Sequence, residues 1–183
     1  MSNTGQNLRV NPDTGMLVDT DPAAPGVQPD GQLQYAAGDA NAGKAPNVVA
    51  AADTNPDTDP TAPTELYNID SALDIVTEQD PPNAGTLNTT GSLGVDISDV
   101  SGFDIGAQDG RTGFAALQPS GMTASRLYSI NLDTGAAGDL GVIGDGQAIR
   151  GPAIAIPSDT GRKDFKLMVR EKLRRDNGGA SPL

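Results

Sequence analysis

The chain has no cysteine, no histidine and no tryptophan in 183 residues, and only 3% of it is aromatic. Without cysteine there are neither disulfides nor thiolate metal sites. Without histidine the commonest general base and the commonest transition-metal ligand are both missing. Three Tyr and three Phe are the whole aromatic complement, so a core has to be built from Ala, Leu, Ile and Val, which bury less area apiece. No apolar run approaches the length of a membrane span. Residues Met1 to Val10 are polar and lack the apolar stretch of a signal peptide, so the sequence taken alone predicts a chain that stays where it is made.

Positive charge is also scarce. Twelve Lys and Arg stand against 24 Asp and Glu, a formal net charge of −12. Seven of the basic residues (Arg162, Lys163, Lys166, Arg170, Lys172, Arg174, Arg175) crowd into residues 162–183, with only Asp164, Glu171 and Asp176 beside them. The rest of the chain therefore carries −16 and the tail +4. A body of that sign repels phosphate backbones, which excludes nucleic acid as its expected partner.

What the sequence has in abundance is 23 Gly and 14 Pro, about one residue in five. That density interrupts long helices and points to an all-β fold. The chain also repeats itself. Thr64-Glu65-Leu66-Tyr67-Asn68-Ile69-Asp70 recurs 61 residues later as Ser125-Arg126-Leu127-Tyr128-Ser129-Ile130-Asn131. The second copy continues into Leu132-Asp133-Thr134-Gly135, and the same ending closes Val10-Asn11-Pro12-Asp13-Thr14-Gly15, 120 positions earlier. Ala84-Gly85-Thr86-Leu87 resembles Ala137-Gly138-Asp139-Leu140 at an offset of 53, which predicts a longer loop over residues 74–82. Repeats of this length signal a propeller, a solenoid or an array.

Each copy reads as a hairpin. Leu127, Ser129 and Asn131 alternate with Tyr128 and Ile130, the period of a strand, and Asp133-Thr134-Gly135 supplies a turn. Further short apolar runs precede each Leu-Tyr strand: residues 33–36 and 47–52 before the first, residues 100–105 and 113–117 before the second. Four short strands in 50 to 60 residues make a unit resembling a propeller blade. The expected fold is a partial β-propeller-like array of four-stranded antiparallel blades over residues 1–157. It comprises a half blade (7–20), a blade (32–95), a second blade (97–144) and a lone strand (150–156). Too few strands are present to close a ring, so self-association through open blade edges is expected. Residues 158–183 form a basic amphipathic tail, helical or disordered, with Phe165, Met168, Val169 and Leu173 on one stripe.

The Asn-x-Asp-Thr-Gly turns, the Leu-Tyr-x-Ile-Asn/Asp strands and the Gly-x-Leu segments after them resemble a bacterial family of unknown function. The likeness covers most of residues 3–156. It implies propeller-like β repeats and secretion, hence an extracellular or cell-surface location. Two departures accompany it: Met1 abuts what should be mid-blade, and the pattern stops after Ile156. Both lead to the expectation of a truncated or rearranged member.

The residues offer little chemistry. The densest acidic stretch, Asp53-Thr54-Asn55-Pro56-Asp57-Thr58-Asp59, has oxygen at alternate positions. It lacks the Gly at position six and the Glu at position twelve of a calcium loop, having Thr58 and Thr64 there, with Glu65 one place late. Ser120 has no histidine to activate it and is explained as a turn residue. Gly141 to Gly146 follows no strand-to-helix pattern and reads as an inter-blade turn. Tyr67 and Tyr128, at one repeat position, read as packing. No catalytic, cofactor-binding or metal residue is assigned, and no cofactor is expected. The expected function is a non-enzymatic binding or structural module for a protein or carbohydrate. Its alternatives are a fragment of a carboxylate-dependent secreted hydrolase or lyase, or a truncated chain with no function of its own.

Overall fold

A computed structural model of the chain describes residues 4–55, 61, 63–106 and 111–155. It is all-β. Strands β1 (Gln34–Tyr35), β2 (Val48–Asp53), β3 (Leu66–Asp70), β4 (Ile75–Gln79) and β5 (Thr86–Ser92) form one sheet in the order β1-β5-β4-β3-β2. Strands β6 (Ile97–Ile105), β7 (Thr112–Pro119), β8 (Arg126–Asn131) and β9 (Ala137–Val142) form a second sheet in simple meander order. The only helical turn among the described residues is Pro82–Ala84, which follows a cis peptide at Asp80–Pro81.

The second sheet is a four-stranded antiparallel meander within residues 97–144. The first departs from the blade expected over 32–95 in two ways. It has five strands rather than four, and β1 joins β5 in parallel. The stretch 74–82, expected as a loop, contains strand β4. Registers explain the error: Ile69 faces Val76 and Tyr67 faces Glu78, while Ile130 faces Ala137 and Tyr128 faces Asp139. The offset of 61 thus runs unbroken through both hairpins. The likeness of residues 84–87 to 137–140 at offset 53 relates strands that are not equivalent.

Three turns repeat at atomic detail. In Asn11–Gly15 the Asn11 Oδ1 accepts the N–H groups of Asp13 (2.9 Å) and Thr14 (3.0 Å), and Gly15 N–H returns to Asn11 O (2.8 Å). In Asn131–Gly135 the same three bonds measure 2.9, 3.0 and 2.8 Å. The third copy is Asp70–Asp74, where Asp70 Oδ1 accepts from Ala72 (2.8 Å) and Leu73 (3.3 Å). Asp74 there takes the left-handed φ of +53° that Gly15 and Gly135 hold elsewhere. Aspartate tolerates that region better than most residues because its short polar side chain bonds locally.

The half blade of residues 7–20 is reduced to one bridge, Val10 to Leu17. The expected lone strand 150–156 is irregular over its described part apart from Ile154. Residues 158–183 and most of the Asp53–Asp59 loop lie outside the described residues.

Both sheets contribute to one core. Ala52, Tyr67, Ile69 and Val76 from the first pack with Phe103, Ile105, Ala115, Leu117, Tyr128 and Ile130 from the second, and β2 lies alongside β6. Each tyrosine stands across from an alanine, Tyr67 from Ala52 and Tyr128 from Ala115, so a small partner makes room for each ring. The sheets also meet backbone to backbone. A Cβ on Gly91 would lie 2.1 Å from Thr134 O, and Ala137 N–H donates to Leu93 O at 3.0 Å. The far face of the first sheet buries a smaller cluster of Leu33, Tyr35, Val48, Ile75 and Leu87.

Candidate functional site

The far face of the first sheet is unusually polar for its depth. Asn68, Asp70, Thr77 and Gln79 point to it from β3 and β4, and all four are buried. Asp70 is well satisfied: Tyr35 Oη–H and Asn47 N–H (3.1 Å) donate to its Oδ2, and the turn amides donate to Oδ1. Burial, reinforced by the bond to Asp70, raises the Tyr35 phenol well above its ordinary pKa. Asn68 donates to Gln79 Oε1 (3.2 Å), and Gln79 in turn donates to Pro82 O (2.7 Å). Asn68 Oδ1 and Thr77 Oγ1 have no protein partner.

This polar stripe leads to a cleft of about 500 Å³ at the end of the sheet. Leu8, Ala51, Ala52, Leu66 and Pro82 give it apolar walls, and Asn7, Asp53, Thr64, Gln79 and Asn83 supply polar groups. Asn7 Nδ2 ties the N-terminal segment to Pro82 O at 2.8 Å. Arg9 also lines the cleft, but its guanidinium forks onto Asp30 (Nε to Oδ2 2.9 Å, Nη2 to Oδ1 2.9 Å), which Thr20 Oγ1–H also engages. Arg9 holds the Asp30 carboxyl below its ordinary pKa, against the opposing effect of burial. Neighbouring packed atoms raise the pKa of Asp53 even though part of the residue reaches solvent.

A second cluster stands where the repeat is broken in charge. In the β8–β9 hairpin, Arg126 Nη2 pairs with Asp139 Oδ2 at 2.7 Å. Sixty-one residues earlier the same positions hold Glu65 and Glu78. Glu78 has a raised pKa, first from burial and then from Glu65 and Asp80. Tyr67 Oη–H donates to Glu65 Oε2 (3.1 Å), and burial together with Glu65 pushes the phenol up to about 12. Burial dominates both shifts, as expected for groups held against packed strands.

The residues weighed from sequence fall elsewhere. Ser120 Oγ–H donates to Asp96 Oδ1 at 2.5 Å, tying the turn after β7 to the residue before β6. Gly141 and Val142 belong to the end of β9, where the ladder bulges, so only the rest of that glycine-rich run is a connection. Among the described residues no group of three or more acidic side chains is placed to hold a metal ion. No helix among them is long and apolar enough to cross a membrane. The cleft was not foreseen, because its parts come together only in the fold: Asn7 meets Pro82 across 75 residues.

Neither the curated proteins nor the solved structures contain a match to this chain. A family model does match, over residues 1–153, in agreement with the recurring Leu-Tyr strands and Asp-Thr-Gly turns, and the chain belongs to that family, described as Domain of unknown function (DUF4394).

Proposed function

We propose that this domain is a non-enzymatic, propeller-like binding module at the cell surface or outside the cell, and that its cleft takes an uncharged carbohydrate. The cleft is the observation that carries the reading. Its mixture of apolar wall and polar side chains is the usual make-up of a small-molecule site. The charge of −16 on residues 1–161 disfavours anions, and Arg9 is already engaged by Asp30. Amide and carboxylate groups suit hydroxyls, which both donate and accept. Among the described residues no aromatic side chain lines the cleft, so affinity rests on hydrogen bonds and is modest. Two successive sheets, with β2 and β6 side by side, support the comparison with blades.

Titrating ¹⁵N-labelled protein with a panel of neutral oligosaccharides tests this. Shifts should cluster on Asn7, Asp53, Gln79 and Asn83 and vanish in Gln79→Leu. Shifts absent for every sugar, or centred away from the cleft, would remove the reading.

The carboxylate-dependent alternative has one observation in its favour, the Glu65–Glu78 pair. A carboxyl with a raised pKa beside a second carboxylate is the arrangement that acid–base hydrolysis uses. Turnover of chromogenic glycosides that disappears in Glu78→Gln would replace the binding reading with this one.

A further inference from the structure

Three copies of one hairpin lie in this chain, and two of them bury the same face against a shared core. In the first sheet that face carries Ile69 and Val76, both 0% exposed. In the second it carries Ile130, also 0% exposed, and Ala137, which packs on the same core. The bridge of Val10 to Leu17 repeats the pairing of Ile69 with Val76 and of Ile130 with Ala137, closed by the same turn. Yet Val10 is 53% exposed and Leu17 42%. Scattered apolar residues on a surface need no explanation. A repeat position that is sealed twice and open once does.

We infer that a second copy of this chain covers the Val10–Leu17 face in a two-fold dimer. The interface inside the molecule supplies the reason. Equivalent faces of two copies of the repeat, Tyr67 and Ile69 on one sheet and Tyr128 and Ile130 on the other, already meet in a single core. This face accepts its own kind, and the third copy is the odd one of three. A second molecule offers an identical face, and a self-complementary patch closes on itself as an isologous dimer. The patch is small, with Met16 beside it, so the dimer is weak. Each chain carries −12, so added salt should strengthen the association rather than weaken it.

The chain has no cysteine, which makes the test direct. Sedimentation of the unmodified protein from low micromolar to several hundred micromolar should show a reversible dimer, favoured by salt. Val10→Thr and Leu17→Glu should each weaken it by about tenfold or more while leaving the circular dichroism unchanged. Leu140→Glu, at an exposed apolar position on β9, should leave it intact. Leu17→Cys should crosslink as a dimer with a short bis-maleimide, and Leu140→Cys should not. A strictly monomeric chain throughout would overturn the inference, whatever else covers the hairpin. A dimer that survives both hairpin substitutions, or that crosslinks through residue 140 instead, would overturn it equally.

Discussion

The β3–β4 and β8–β9 hairpins share register, turn and spacing, yet they stand in different surroundings. The second hairpin turns its outer face, with Ser129, Asn131 and Leu140, toward solvent. The first is covered on both faces, and its outer face is the buried stripe of Asn68, Asp70, Thr77 and Gln79. One backbone plan thus tolerates two opposite polar solutions. A position that is decorative in one copy becomes structural in the other, because the cost of an unpaired polar group depends on its burial.

Asp70 and Asn131 occupy the same turn position and give the sharpest contrast. Asp70→Ala leaves several buried donors without an acceptor and should cost about 3 kcal/mol or more. Asn131→Ala, in an exposed turn, should cost about 1 kcal/mol. Urea midpoints with unchanged m-values would measure both, and equal losses would erase the distinction.

The turn glycines offer the next contrast. Gly15 and Gly135 both have positive φ, but a Cβ on Gly15 meets open space whereas one on Gly135 would lie 2.4 Å from Gly91 O. Gly15→Ala should therefore cost about 1 kcal/mol and Gly135→Ala at least about 2 kcal/mol. Thermal unfolding of the two variants side by side decides this.

Thr77→Val should run the other way. The hydroxyl is buried without a protein partner, so an isosteric apolar side chain should stabilise by about 1 kcal/mol. A destabilised variant would mean that an internal water already satisfies that oxygen.

The smallest expected effect concerns charge. Glu65→Arg recreates on the first hairpin the pair that Arg126 and Asp139 make on the second, and should add about 0.5 kcal/mol at neutral pH. Glu78 is held above its unfolded value, so its contribution to stability is present at low pH and is lost as pH rises through the folded pKa. The part of wild-type stability that Glu78 carries should therefore decline as pH rises above the ordinary glutamate range. Glu65→Arg should flatten that slope, and a slope unchanged in the variant would show that Glu65 does not act on Glu78. Asp30, held low by Arg9, acts oppositely, and its contribution is lost as pH falls through its folded pKa.

The repeat was legible because its turns carry chemistry in fixed order: an Asx side chain caps two amides and a glycine takes the left-handed position. Strand β4 was not, because Ile75-Val76-Thr77-Glu78-Gln79 is covered on both faces, and its polar members give none of the contrast by which a half-exposed strand is recognised. Asp74 hid the turn before it by standing where the other copies have glycine. The cleft was beyond reach of sequence, since nothing local in Asn7 announces that it will meet Pro82. The charge reversal at Glu65 and Glu78 was readable in principle. It required aligning the strands on the unbroken offset, which the chance likeness of residues 84–87 obscured.

The parallel junction of β1 with β5 bears on the order of events as the chain is made. Residues 5–36 are fastened by Leu33 N–H to Gly5 O, and by Gly31, Gln34 and Ala36 N–H to Asn83, Gly85 and Leu87 carbonyls. Those acceptors leave the ribosome some fifty residues after their donors. The N-terminal segment must wait, uncommitted, until β5 is synthesised, whereas the β6–β9 meander pairs each strand with the one just made. Residues 5–36 therefore wait longer for their hydrogen-bond partners than any strand of the β6–β9 meander does, and are exposed meanwhile to quality-control machinery and to other nascent copies of the chain.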